Sequence, residues 1–234
     1  TSCSPDFGAQ GVVDRFGQVR PQLLIVADGY RYNGKCFAMD TKVNGVLEQI
    51  SGIEHVVRIP FADVPSELAH SSVVEYPDLL QNNTVVPEFT QVNFNHPLYI
   101  MYSSGTTGPP KSIVHGTGGT LLQHLKEHQL QCDLQPGHRL FWFTTCGWMM
   151  WNWLVSALAS RATIVLYDGS PGHPNLGAMW RLAERTGITH FGTSPKFLSA
   201  CADAGLIPRD EADLQQFRAL LSTGAPLVPE QFDW

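Results

Sequence analysis

Residues 99–119 read YIMYSSGTTGPPKSIVHGTGG. The apolar run that opens this stretch, PLYIMYSS from Pro97, predicts a β-strand, and it leads directly into a loop of glycines, serines and threonines. One lysine, Lys111, stands at the far end. A glycine-rich turn after a strand lets backbone N–H groups approach a phosphate closely, and hydroxyls add further donors. Ser103, Ser104, Gly105, Thr106, Thr107 and Gly108 therefore form a candidate anion cradle, with Lys111 as its positive charge or as a tether of the loop. A flexible surface loop is the competing reading of the same residues. The stretch is no Walker A loop, because that pattern needs Gly immediately before the Lys and Pro110 stands there, and the G-x-G-x-x-G dinucleotide pattern is missing.

Working outward, QLLIVADG is an apolar run closed by Asp28-Gly29 and reads as a buried strand. The apolar spacing from Cys36 to Ile50 predicts a helix, and HVVRIPF a second strand, which together make a βαβ unit and a parallel sheet. Ala62 to Asn95 is polar and punctuated by prolines, which predicts a connecting segment with a short helix. Beyond the loop, the pattern predicts a helix over Gly119–Leu134, a strand at HRLFWFTT, an apolar helix at GWMMWNWLVSALASR and a strand at ATIVLYDG. A helix over Leu176–Thr186, a strand at THFGTSP, a helix over Lys196–Ala204 and a last strand at FRALLSTGAPL complete the order. Strands alternating with helices predict an α/β layered fold.

Composition bounds the function. The 234 residues are 43% hydrophobic and 15% charged, as in an ordinary globular protein. The balance of 15 basic and 21 acidic residues, net −6, gives no electrostatic footprint for nucleic acid. The five cysteines are widely spaced with no C-x-x-C pair, which favours free thiols in a reducing compartment. No stretch approaches the ~20 apolar residues of a membrane span, so a cytoplasmic protein without membrane contact is expected. The chain starts without methionine and stops at PEQFDW without a closing cap, which reads as an internal piece of a longer polypeptide.

YSSGTTGPPK resembles the phosphate-binding signature of the adenylate-forming enzymes, the superfamily of acyl-CoA synthetases, luciferases and peptide-synthetase adenylation domains. VHGTGG, GWMMWNW and STGAPL follow in the superfamily's order, and FTTCGWMMWNWLVSALASRATIVLYDGSP looks most like the acetoacetyl-CoA synthetase family. The resemblance covers nearly the whole chain. It implies an α/β fold, the parallel-sheet portion of the large N-terminal domain without the small C-terminal domain. Residues 1–95 would supply the βαβ unit and connecting segment, and 96–234 the phosphate loop, acyl pocket and adenine-binding portion.

The resemblance also implies chemistry. A carboxylate attacks the α-phosphate of ATP, pyrophosphate leaves, and CoA displaces AMP from the acyl-adenylate, with Mg²⁺ offsetting charge. Ser103, Ser104, Thr106 and Thr107 match the hydroxyl donors, Gly105 and Gly108 the turn positions, and Lys111 the signature lysine. The residue after that lysine is usually Gly in the superfamily and here is Ser112. Gly224, Ala225 and Pro226 match the segment packed on adenine, and Gly147, Trp148, Met149 and Met150 the acyl pocket. Met and Trp also fill cores readily, so GWMMWNW reads equally as a buried helix. Their bulk favours a short acid such as acetoacetate by volume exclusion. Arg31 and Lys35, in DGYRYNGK, match the segment that meets the nucleotide end of CoA. The superfamily's catalytic lysine, hinge aspartate and acidic metal-positioning motif would fall after Trp234. The expectation is that no catalytic residue and no metal ligand lies within these residues, and that they are inactive by themselves.

Three other readings compete: an acetyl- or propionyl-CoA synthetase-like ligase, a nucleotide-binding module without chemistry, and a zinc peptidase. The last rests on His124-Leu125-Lys126-Glu127-His128, which spells H-x-x-E-H and on a helix puts both histidines on one face. No recognisable motif downstream supplies the third ligand that a catalytic zinc needs.

Overall fold

A helix, α1 (Ala9–Val19), precedes the expected βαβ unit in the computed structural model, which describes all residues except Ser66, 81–85 and 104–107. It ends where Arg20 takes a left-handed conformation and returns its N–H to the Phe16 carbonyl at 2.9 Å. The apolar run Leu23–Ala27 forms β1. An antiparallel hairpin follows, β2 (Gly29–Tyr32) and β3 (Lys35–Ala38), joined by Asn33 and Gly34 with φ of 51° and 75°. Two successive positive φ values make the turn that matches strand twist, and Asn-Gly tolerates it best. The helix expected over Cys36–Ile50 is corrected here: Cys36–Ala38 is strand, and α2 is confined to Asp40–Gln49. Phe37 is taken up by the hairpin, its ring stacked on Tyr30 at 5.0 Å.

β4 (His55–Ile59) then pairs with β1 in parallel, Leu24 opposite Val56. The segment expected to be only a connector adds a third parallel strand, β5 (Val73–Glu75), before the short helix α3 (Tyr76–Leu79). An Arg58–Glu75 ion pair at 2.7 Å joins residues that lie opposite each other in this register. α1 and α2 contribute Phe16, Val43 and Val46 to the core that covers Leu24 and Val56. A second hairpin, β6 (Pro97–Tyr102) with β7 (Ser112–Gly116), brackets the hydroxyl-rich loop in sequence.

Residues 1–119 form one compact unit and 120–234 another. At the boundary α4 (Thr117–Lys126) begins, and it continues as a π-helical turn over Glu127–Gln131. The second unit is built on a four-stranded parallel sheet in the order β11-β10-β8-β9. In chain order these are β8 (Arg139–Trp142), α5 (Met149–Ser156), β9 (Thr163–Val165), α6 (Ala178–Thr186) and β10 (His190–Thr193). α7 (Pro195–Asp203), α8 (Pro208–Glu211), β11 (Ala219–Ser222) and α9 (Pro229–Asp233) follow. α7 starts where Pro195 can sit without an N–H and Ser194 caps the Phe197 N–H at 3.3 Å. Its partner α6 buries Trp180, which stacks on Phe191 of β10 at 5.0 Å. Among the described residues no helix is long and apolar enough to cross a membrane.

Candidate functional site

The loop that opened the sequence reading is closed by its own ends. The Ser103 N–H donates to the Lys111 carbonyl at 3.0 Å, and the Lys111 N–H donates to the Ser103 hydroxyl at 3.3 Å. Ser103 and Lys111 are thereby brought together at the base of the β6–β7 hairpin. Lys111 and Gly108 are exposed. Ser104, Gly105, Thr106 and Thr107 lie outside the described residues. VHGTGG ends the hairpin: the Thr117 hydroxyl and N–H both donate to the His96 carbonyl at 2.8 Å.

In the second unit the parallel sheet sets the geometry. β8, β10 and β11 run in the same direction, so the segments that leave their carboxyl ends share one edge, the usual ligand edge of such sheets. Trp148 caps the helix that follows β8, and Gly224 lies just past β11. Gly224 has φ +99°, a conformation open to glycine, and a Cβ there would lie 3.7 Å from the Trp148 ring. The residues matched to the acyl pocket and to the adenine segment are therefore neighbours. Ala225 and Pro226 are exposed beside them.

The two methionines separate. Met149 is 47% exposed, whereas Met150 is 6% exposed and packs in a core with Trp142, Trp153 and Leu154. Of the four residues matched to the acyl pocket, Trp148 and Met149 are the exposed ones, Gly147 is half-buried, and Met150 faces inward.

Arg31 and Lys35 both sit on the β2–β3 hairpin, Lys35 at its tip opposite Tyr32. The Arg31 guanidinium donates to the Ala62 carbonyl at 3.0 Å. That carbonyl is itself held in place by Asp28, whose buried carboxylate accepts from the N–H groups of Phe61 at 2.9 Å, Ala62 at 2.8 Å and Val64 at 3.2 Å. Burial alone would raise the Asp28 pKa, but the backbone donors of Ala62, Phe61, Val64 and Gly29 together outweigh it and hold the carboxyl below its ordinary value. In the sequence Asp28-Gly29 reads only as a strand end. An Asp directly after an apolar run was the available signal.

H-x-x-E-H is absorbed into the core. His124 Nδ1 is 2.8 Å from the Ser156 hydroxyl, and Glu127 accepts from Trp153 Nε1 at 2.8 Å and from Gln123 Nε2 at 2.5 Å. His128 is fully buried with its ring edge-on to Trp153 at 4.2 Å. Burial pushes its pKa down to about 4, with His124 adding to the fall and Glu127 opposing it. Among the described residues no group of three His, Cys, Asp or Glu side chains is placed to hold a metal ion.

The model of the AMP-binding enzyme family matches residues 1–234, the whole chain. The chain belongs to the AMP-binding enzymes. This AMP-binding chain is 49% identical over 237 residues to the acetoacetyl-coenzyme A synthetase of Rhizobium meliloti (strain 1021), with all of this chain and 36% of that relative covered. It is 42% identical over 241 residues to the acetoacetyl-CoA synthetase of Mus musculus, again 100% of this chain and 36% of the relative. A malonamoyl-CoA synthetase of Penicillium aethiopicum is 42% identical over 254 residues, covering 99% of this chain and 35% of the relative. Among solved structures, the acetoacetyl-CoA synthetase from Streptomyces lividans superimposes with a TM-score of 0.93 at 47% identity, covering 100% of this chain and 36% of that one. The α/β fold with parallel sheets expected from the sequence is thus the fold of this AMP-binding family member. The chain spans about a third of the length of the relatives it matches.

Proposed function

We propose that these residues belong to a ligase that activates acetoacetate with ATP and passes the acyl group to CoA. A carboxylate oxygen of acetoacetate bonds to the α-phosphorus of ATP and the bond to pyrophosphate breaks. The CoA sulfur then bonds to the acyl carbon, AMP leaves with the electron pair, and the thiol proton is released. The observation that carries this reading is the nearness of the Trp148 ring to Gly224, 3.7 Å from where a Cβ would stand. It sets an aromatic wall beside the turn matched to adenine, where an acyl group joined to the AMP phosphate as a mixed anhydride would lie. Relatives named for acetoacetyl-CoA support the choice of acid.

In this proposal the loop from Ser103 to Gly108 and Lys111 receive the ATP phosphates, Gly224, Ala225 and Pro226 the adenine, and Arg31 and Lys35 the nucleotide end of CoA. Gly147, Trp148 and Met149 bound the acyl group, with Met150 as the packing behind them. Residues 1–95 and 96–234 divide by role and not by compactness, both as part of one large AMP-binding domain. Mg²⁺ would accompany ATP as its counter-ion; the described residues offer no ligand cluster of their own, and no step here depends on one. The setting we propose is cytoplasmic, with small molecules as partners and neither nucleic acid nor membrane.

A second reading has its own support. The Penicillium relative is named for malonamoyl-CoA, and malonamate, like acetoacetate, carries a carbonyl at its third carbon. The test is pyrophosphate release by the full-length protein with acetoacetate, malonamate, acetate, propionate or no acid. Release that depends on acetoacetate is expected. Dependence on another acid would keep the chemistry and replace the substrate, and no release with any acid would leave a nucleotide-binding module.

A further inference from the structure

The phosphate loop does not stand on its hairpin alone. Its two arms are gripped from one side by α1, an element outside every motif described above. On the first arm, the Tyr102 hydroxyl, one residue before Ser103, donates to the Arg15 carbonyl at 3.1 Å. On the second, Gln18 Nε2 donates to the Pro110 carbonyl at 2.7 Å, and Gln18 Oε1 accepts from the Ser112 hydroxyl at 2.8 Å. The same Nε2 also bonds the Asp14 carbonyl at 2.6 Å, which ties the amide to its own helix.

The chemistry of the grip is specific. Pro110 has no N–H and presents only an acceptor, so its partner must donate; the Ser112 hydroxyl donates, so its partner must accept. A glutamine amide does both at once, whereas glutamate has no donor and asparagine is one methylene shorter. Between those two residues lies Lys111. Its backbone is fixed on both flanks by Gln18 and from across the loop by Ser103. Ser112 also stands where the superfamily usually has glycine, and a glycine would offer Gln18 no hydroxyl.

We infer that Gln18 is a positioning residue for the ATP phosphates: by clamping Pro110 and Ser112 it sets where the Lys111 ammonium can reach. This rests on the reading of the loop as an ATP site. A lysine is a point charge on a four-carbon stem, so fixing its backbone narrows the volume its ammonium samples. Loss of the clamp then weakens the hold on a polyphosphate without touching the acyl pocket or the CoA segment.

The test compares Gln18→Met, which keeps length and removes both hydrogen-bonding functions, with Ser112→Ala and with the double variant, in the full-length protein. Gln18 is exposed, so its replacement leaves the thermal midpoint within a few degrees. We expect KM for ATP to rise about tenfold in Gln18→Met, the size of one or two lost hydrogen bonds, while KM for the acid and for CoA stay within about twofold. Ser112→Ala raises KM for ATP less, and the double variant is no worse than Gln18→Met, because the two changes remove one shared bond. An unchanged KM for ATP, or an equal rise in all three KM values with a fallen thermal midpoint, overturns the assignment. Binding of ATP by calorimetry separates the two claims. If wild type shows no acid-dependent pyrophosphate release yet binds ATP, weaker binding by Gln18→Met still supports the clamp and equal binding refutes it. If wild type binds no ATP, the inference falls with the reading beneath it.

Discussion

The two parallel sheets of this chain are held in different ways. In residues 120–234, every position of β10 is buried, and the core around it is aromatic, with Phe191 in ring contact with both Phe141 and Trp180. In residues 1–119, β1 at the sheet's edge buries Leu24 while Leu23 and Ile25 are 50% and 58% exposed, so this strand is covered on one face only, whereas β4 beside it buries both Val56 and Val57. Polar pins add to the packing of that unit: Asp28 on three backbone N–H groups, Asn44 on Glu67 and Ala69, and Arg58 on Glu75. The lesson is that one layered pattern in sequence yields strands packed on both faces, as β10 and β4 are, and a strand packed on one face only, as β1 is. The predicted sites follow this division, since the loop, Arg31 and Lys35 lie in the first unit and Trp148 and Gly224 in the second.

The comparison is broken most directly by truncating the better-packed core. Phe191→Ala should cost about 3–5 kcal/mol, against about 2 kcal/mol for Val56→Ala in β4. Urea midpoints of the two variants check the order. A smaller loss at Phe191 than at Val56 would mean that the aromatic cluster is not what holds the second unit.

A buried histidine gives the next largest effect. The folded pKa of His128, about 4, lies below the 6.5 of the unfolded chain, so acid protonates the unfolded chain first. The stability it contributes is complete above pH 6.5 and falls by about 1.4 kcal/mol per pH unit as pH drops toward 4. Unfolding titrations of wild type and His128→Leu between these limits should differ by that slope. Parallel curves would mean that the ring keeps its ordinary pKa. The smallest expected effect is on the open face of β1, where Ile25→Thr should change stability by no more than about 0.5 kcal/mol. A loss several times larger would show that this face is covered in solution and would remove the asymmetry between β1 and β10.

Legibility in sequence followed the same division. In the second unit β8, β9 and β11 are legible as short apolar runs, α5, α6 and α7 as runs bounded by Gly, Ser or Pro, and β10 only as the short stretch THFGTSP between two of those helices. In the first unit α1 was missed because Gly11, Gly17 and the paired Val12 and Val13 lower its intrinsic helicity, and its helical state depends on burying Phe16. Asn33-Gly34 is a turn dipeptide that suits the β2–β3 hairpin, but the apolar spacing from Cys36 to Ile50 reads as one longer helix. β5 and β7 are too short or too close to the loop for any period to show.

The sequence by itself determined the alternation of strands and helices, the kinship of the loop signature, and the chemistry its residue types can perform. These depend on backbone preferences and local apolar spacing, or on an order of motifs along the chain. Only the tertiary structure decided that Met150 turns into the core while Met149 remains exposed, and that the Trp148 ring stands beside Gly224. It also decided that Gln18 reaches Pro110 and Ser112, 92 and 94 residues away. Such contacts follow from how packed elements meet, and an exposed glutamine on a short helix carries no local mark of the partner that packing brings to it.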